Sequence, residues 1–142
     1  MKNPRTLLWI AGVFWLFSWF LPVMEDLVGW QAFRAVFVPP GGDGRGWEDQ
    51  AAQWLSGLTN LVFAAVFAVL AAGKTIRPGL MMRIAIACFI VNLYWFVQLA
   101  KSGELKALLI GYYAWLAAYA LMIVIALLSR RTSKTPTADT PA

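Results

Sequence analysis

Four long apolar stretches, separated by short polar segments, dominate the pattern of hydrophobic positions along this chain. They cover residues 6–24, 52–73, 81–100 and 107–129. Each is about as long as the roughly 20 apolar residues that a helix needs to cross the hydrocarbon core of a bilayer. Because backbone polar groups in lipid must be paired within helices or closed barrels, stretches of this length indicate transmembrane helices. The pattern therefore predicts an all-α fold, an integral membrane four-helix bundle.

The polar segments complete the predicted domain organisation. Residues 1–131 form the four-span membrane domain, and residues 25–51 form its first outer loop. Within that loop, the sequence GGDGRG at 41–46 is typical of a flexible linker, since it lacks the Lys-Ser/Thr pair of a phosphate-binding loop. Residues 132–142 are polar and rich in Thr and Pro, which predicts a disordered cytoplasmic tail.

A short helix is predicted in the first outer loop, ahead of a Pro-Pro pair. Trp30, Phe33 and Phe37 are spaced so that they share one helical face, which is typical of a helix lying in the membrane interface. Together with Trp47, near the start of the second span, they form a candidate outer docking surface for lipid or for another membrane protein. The alternative is an ordinary belt of interfacial aromatic residues.

The basic residues predict how the spans are oriented. With the N-terminus inside, the inner segments hold eight Lys and Arg residues and the outer segments hold four. The positive-inside rule then favours both termini in the cytoplasm and an acid-rich first loop outside. The net charge of +5 is accordingly interpreted as a topology signal, and no nucleic-acid partner is expected.

The amino-acid composition excludes most of the residue types on which membrane enzymes and transporters depend. Hydrophobic residues make up 61% of the chain and charged residues 13%, which is not the balance of a soluble domain. With no His and one Cys, Cys88, the chain lacks an internal disulfide and the usual ligands of haem, diiron and zinc sites. The predicted spans contain no Asp, Glu or Lys, the residues typical of proton relays and ion-coupled transport. We therefore predict no catalytic residue, cofactor or metal site.

Two asparagines are the clearest polar signal inside the predicted spans. Asn60 and Asn92 both lie about 10–12 Å below the outer edge of the membrane, given a rise of about 1.5 Å per residue. Equal depth permits a hydrogen bond between the second and third spans, worth about 0.6 kcal/mol on average in a bilayer. With Ser56 and Ser18 these residues form a candidate polar clasp. The alternative is a polar ligand pocket in the outer half of the bundle.

The acidic residues of the outer loop support two weaker hypotheses. Asp43, Glu48 and Asp49 could hold a cation, but their spacing differs from that of an EF-hand loop, which favours an ordinary solvated loop. Glu25, Asp26 and Asp49 are the candidates for a membrane enzyme acting at the outer interface.

Three short motifs give the chain a resemblance to known sequences. They are Phe-Leu-Pro at 20–22, Gly-Trp-Gln-Ala-Phe at 29–33 and Gly-Tyr-Tyr-Ala-Trp-Leu at 111–116. In these motifs the chain resembles a group of small, uncharacterised four-span bacterial membrane proteins. The resemblance implies four spans, a helix in the first loop and, with the short loops, a location in the bacterial inner (cytoplasmic) membrane. No activity is known for the group, so it implies no catalytic or binding residue.

These observations lead to two functional hypotheses. The first is a non-enzymatic integral membrane protein that acts through protein or lipid contacts, as a small subunit or regulator of a membrane assembly. The alternative is a small-molecule or lipid binder or carrier that uses the polar pocket around Asn60 and Asn92.

Overall fold

The chain is mainly helical, as the computed structural model shows for residues 4–24, 27–37 and 47–132. The predicted all-α class is confirmed, with the addition of one small hairpin. The predicted tail after residue 132 and the GGDGRG segment lie outside the described residues. In chain order the elements are α1 (Pro4–Ser18), β1 (Pro22–Met24), β2 (Leu27–Val28), α2 (Gly29–Ala35), α3 (Trp47–Ala71), α4 (Pro78–Ser102), a 3₁₀ turn (Leu105–Ala107) and α5 (Ile110–Thr132).

Three of the helices are long and apolar enough to cross a membrane. The qualifying segments are Gln50–Ala71 in α3, Pro78–Ser102 in α4 and Ile110–Arg130 in α5. Their length and composition identify this chain as a membrane protein. The first helix is shorter: its 15 residues extend about 22 Å at 1.5 Å per residue, against a hydrocarbon core of roughly 30 Å.

Helix α1 ends at Ser18, six residues before the end of the apolar stretch that predicted it. Leu21 precedes Pro22, and the proline ring disfavours helical geometry at the residue before it. The chain then turns back through the antiparallel strands β1 and β2. This return brings Gly29 so close to α1 that a Cβ atom there would collide with the carbonyl oxygen of Ser18. The backbone N–H of Trp30 donates to the carbonyl of Trp19 at 2.9 Å, which fixes the turn.

Helix α5 is the central element of the bundle and packs along both α1 and α4. Small residues make these approaches close: Ala11 of α1 and both Ala118 and Ala126 of α5 are fully buried. Small side chains let the backbones of transmembrane helices approach and gain dispersion contacts. Helix α3 packs against α4 and α1. It reaches α5 through long side chains, as when Phe63 meets the ring of Tyr119 edge to face at a centroid distance of 5.5 Å.

The hairpin is joined to the start of α5. The backbone N–H of Leu109 donates to the carbonyl of Val23 at 3.1 Å. Gly111 lies next to this join, where a Cβ atom would lie 2.7 Å from the carbonyl oxygen of Pro22. Only a residue without a side chain leaves room for the strand to pass. Val23, Leu108 and Tyr112 are buried together there, in an apolar cluster separate from the main core.

Candidate functional site

The polar network of the bundle has Asn60 as its principal acceptor. The side chain lies on α3 and is only 7% exposed. Its Oδ1 atom accepts hydrogen bonds from the indole N–H groups of Trp15 on α1 and Trp115 on α5, each at 3.0 Å. Trp115 shares its N–H with the hydroxyl of Tyr119 at 3.2 Å. One amide oxygen therefore links three helices.

Thr59, the preceding residue, is the second junction of the network. Its hydroxyl oxygen accepts from Tyr119 of α5 at 3.0 Å and from the amide nitrogen of Asn92 on α4 at 2.9 Å. The hydroxyl itself donates to the carbonyl of Ser56 at 2.7 Å. Thr59 therefore holds α3 to both α4 and α5.

Asn92 is fully buried, and the direction of its amide is fixed by its neighbours. Its nitrogen also donates to the backbone carbonyl of Cys88 at 2.7 Å. Because a carbonyl only accepts hydrogen bonds, the nitrogen of the amide must face it and not the oxygen. The backbone carbonyl of Asn92 accepts from the hydroxyl of Tyr112 at 2.6 Å. The Oδ1 atom of Asn92 has no hydrogen-bond partner in the described part of the chain.

The two predicted asparagines belong to one network but do not bond to each other. Asn92 donates to Thr59, whereas Asn60 accepts from two tryptophans. Neighbouring helical residues point about 100° apart, so only one of Thr59 and Asn60 can face α4. The tryptophan donors were missed because aromatic residues in a membrane sequence are equally well explained as interfacial belts.

The two predicted serines have different surroundings. Ser56 accepts a hydrogen bond from the indole N–H of Trp95 on α4 at 3.1 Å, so it joins α3 to α4. Ser18 donates to the carbonyl of Trp15 at 2.6 Å, a bond within its own helix end. Both side chains, with Asn60, line the same cavity.

This cavity, called the α2 cavity below, is partly open and has a volume of about 610 Å³. It lies where the hairpin and α2 face the adjoining ends of α3, α4 and α5. Its volume is within the roughly 300–1,000 Å³ range of small-molecule sites, which are typically apolar with a few placed polar groups. Six aromatic side chains contribute to the described walls: Trp19, Phe33, Tyr94, Trp95, Tyr112 and Trp115.

Two carboxamides give the α2 cavity hydrogen-bonding groups that the protein does not use. Gln53 on α3 and Gln98 on α4 both line it and are half-buried. Neither side chain forms a hydrogen bond with another group in the described ranges. Among the described lining residues, Glu48 is the one with a charge, and it is exposed.

The residues of the predicted docking surface separate into two groups. Phe33 turns toward the bundle, where its ring lies 4.9 Å from that of Trp19 between centroids, and it lines the cavity. Trp30, Phe37 and Trp47 are exposed by 44%, 64% and 79%. Helix α2 thus contributes a wall of the cavity on one side and the exposed ring of Trp30 on the other.

The acidic candidates are not assembled into a site by the described residues. Glu48 is exposed on the first turn of α3. Glu25, Asp26, Asp43 and the side chain of Asp49 lie outside the described residues. Over residues 4–24, 27–37 and 47–132, no three His, Cys, Asp or Glu side chains group as metal ligands.

Comparison with known proteins gives no relative: no family model, curated protein or solved structure matches this chain.

Proposed function

We propose that this chain is a non-enzymatic membrane protein that binds an amphipathic small molecule or a lipid in the α2 cavity. The observation that carries the proposal is the cavity itself, about 610 Å³ with aromatic walls and with the amides of Gln53 and Gln98, which have no hydrogen-bond partner among the described residues. Aromatic rings supply apolar contact area, and a few polar groups orient the ligand. A binder or carrier of this kind needs no ionisable residue within the membrane.

The proposed setting is the bacterial inner membrane, with α1 as a fourth span and both termini in the cytoplasm. Helix α1 packs along α5 and still leaves Trp9, Leu16 and Phe17 more than half exposed, as expected for side chains that face lipid. A span shorter than the bilayer is accommodated by local thinning at modest cost. The excess of basic residues on the α3–α4 turn and at the termini supports the orientation.

The test is to identify what co-purifies with the protein after gentle solubilisation of native membranes. Mass spectrometry of lipids and small molecules is compared between the wild type and Ala35→Phe, which places a ring in the cavity. We expect a defined amphipathic species in the wild type and at least a tenfold loss in this variant. Ala100→Phe, on the exposed face of α4, is the matched control and should retain the species.

Equal recovery from Ala35→Phe and the wild type would contradict the proposal, as would a wild type that retains only bulk lipid in membrane proportions. Thermal unfolding of each variant in the same detergent shows whether the added ring has disturbed the fold. A variant that has lost its fold is replaced by Ser102→Phe, at a second and exposed position on the cavity wall.

A small subunit or regulator of a membrane assembly is the second candidate. It is favoured by the exposed rings of Trp30, Phe37 and Trp47, which lie near the cavity end of the bundle. Aromatic side chains are enriched at the centres of protein interfaces. The same purification tests it, because a stoichiometric protein partner that is lost when all three are changed to Ala supports this candidate.

A further inference from the structure

We infer that the α2 cavity selects amphipathic molecules with an uncharged, hydrogen-bonding head group, and that Gln53 and Gln98 bind this head. The inference depends on the proposed function, since it names the ligand class of the same cavity.

The two glutamines are at the same level of the bundle. Gln53 precedes Ser56 by three residues on α3, and Gln98 follows Trp95 by three residues on α4. The hydrogen bond from Trp95 to Ser56 places those two residues side by side. Because α3 and α4 are joined by a short turn and run in opposite directions, each glutamine lies about 4.5 Å beyond that bond, toward the start of α3 and the end of α4.

Both amides have hydrogen-bonding capacity that no group in the described part of the chain uses. A primary amide offers two N–H donors and one carbonyl acceptor. A head group with its own hydroxyl, carbonyl or amide functions offers both donors and acceptors, which are the groups that a primary amide pairs with.

The charges around the cavity oppose an anionic head. No Lys or Arg side chain lines it among residues 4–24, 27–37 and 47–130. A phosphate or carboxylate there would lose hydration without gaining a counter-charge, which is strongly unfavourable in a low-dielectric site. Glu48 would repel an anion, and because it is exposed and hydrated it offers only weak attraction to a cation.

The cavity floor suits the apolar part of such a molecule. Trp95 and Trp115 both line the cavity, and their indole N–H groups are already bonded to Ser56 and Asn60. Their rings therefore present apolar surface without a demand for further hydrogen bonds. Ser18, Ser56 and Asn60 also line the cavity, but their side-chain oxygens are already hydrogen-bonded within the protein, which leaves the two glutamines to bind the head group.

The experiment uses three photoreactive probes with the same diazirine-bearing acyl or alkyl chain. One is a monoacylglycerol, one a fatty acid and one an alkyltrimethylammonium, so their heads are neutral, anionic and cationic. Full-length protein in nanodiscs is irradiated with each probe, and cross-links are mapped by mass spectrometry. We expect saturable labelling of the cavity segments of α3 and α4 by the monoacylglycerol, at about tenfold lower concentration than by either charged probe.

Substitutions connect the selectivity to the two amides. The double variant Gln53→Leu/Gln98→Leu should need about tenfold more monoacylglycerol for half-saturation, as expected for two lost hydrogen bonds of ordinary strength. Gln50→Leu is the matched control, since Gln50 is on the same helix and outside the cavity wall. Gln98→Lys, which keeps a polar side chain, should shift the preference toward the fatty acid.

The outcomes separate the inference from the proposed function. Saturable labelling that is equal for the neutral, anionic and cationic probes, and is unchanged in Gln53→Leu/Gln98→Leu and in Gln98→Lys, would overturn the inference. The proposed binding function would remain. A charged probe that binds best would also overturn the inference. Failure of all three probes to label the cavity saturably would count against the binding function itself.

Discussion

At the scale of single residues, the polar side chains of the bundle are arranged so that oxygen atoms on α3 accept from several donors. Asn60 accepts from two indoles, and Thr59 accepts from a tyrosine and an asparagine. Two neighbouring residues are therefore enough to hold α3 to α1, α4 and α5. This arrangement also concentrates the cost of a substitution at those two positions.

Asn60→Leu is expected to lower the free energy of unfolding by about 1–2 kcal/mol. The substitution leaves the indole of Trp15 without an acceptor, while Trp115 keeps the hydroxyl of Tyr119. Hydrogen bonds between transmembrane helices are worth about 0.6 kcal/mol on average and up to about 1.7, and an unpaired buried donor adds to the loss. The measurement is unfolding by SDS titration in mixed micelles.

Leu61→Ala is the control for the Asn60 variant, because Leu61 is exposed on the same helix and should change stability little when the protein is in micelles. A change below about 0.3 kcal/mol for Asn60→Leu would show that its two hydrogen bonds do not hold the bundle together.

At the scale of elements, the join between the hairpin and α5 depends on close backbone approach. Gly111 lies in the first turn of α5, against the carbonyls of Leu21 and Pro22. The obstacle to a larger residue is backbone, which cannot rotate away as a side-chain tip can. This join determines where α2 lies, because α2 follows directly after β2.

Gly111→Ala is expected to destabilise the protein by about 1–3 kcal/mol, in the range for overpacking of a closely packed site. Gly79→Ala is its matched control: it is also a helical glycine, but a Cβ atom there meets only the end of the Arg130 side chain. Alanine has the better helix propensity, so the control should be neutral or more stable by up to about 1 kcal/mol. The measurement is thermal unfolding of both variants in the same detergent. Equal unfolding temperatures for Gly111→Ala and Gly79→Ala would contradict the expected overpacking at Gly111.

At the scale of the whole molecule, the position of α1 decides the topology. Helices α3, α4 and α5 alone would give three spans and leave the N-terminus and the end of α5 on opposite sides. With α1 as a further span, the two ends are on the same side, and the positive-inside rule places that side in the cytoplasm. The packing of α1 along the central helix α5 favours the second arrangement.

Labelling of single cysteines distinguishes these topologies. In a Cys88→Ala background, cysteines are placed one at a time at the N-terminus, at Lys74 before α4 and at Ser102 at its end. We expect an impermeant maleimide to label the Ser102 position in intact spheroplasts, and the other two positions only after permeabilisation. Labelling of the N-terminal cysteine from outside would exclude α1 as a span.

The sequence was most informative where a property is repeated along a segment. Long apolar stretches predicted the helices α3, α4 and α5, because every turn of such a stretch carries the same preference for lipid or core. The end of α1 was harder, because Trp19, Phe20 and Leu21 continue the apolar pattern, and only Pro22 signals the break.

The partners within the polar network could not be predicted from sequence. Asn60 and Asn92 are conspicuous as polar residues in apolar stretches. Their partners depend on how each helix is rotated about its axis, and the spacing of apolar residues does not determine that rotation. Trp15 and Trp115 looked like membrane-belt residues, and nothing in their sequence context distinguishes an indole N–H that faces water from one that faces an amide. The α2 cavity likewise depends on where α2 folds back, which is determined by the contacts of Gly29 and Gly111.

The pairing of α1 with α5 has a consequence for how the chain is assembled as it is synthesised. Helix α1 is made before α3 and α4 but packs chiefly along α5, and the hairpin after it bonds to Leu109. While residues 47–102 are being synthesised, α1 therefore lacks its main neighbour. Contacts so distant in sequence form late, so the cavity wall built on the hairpin is completed only after α5 has been made.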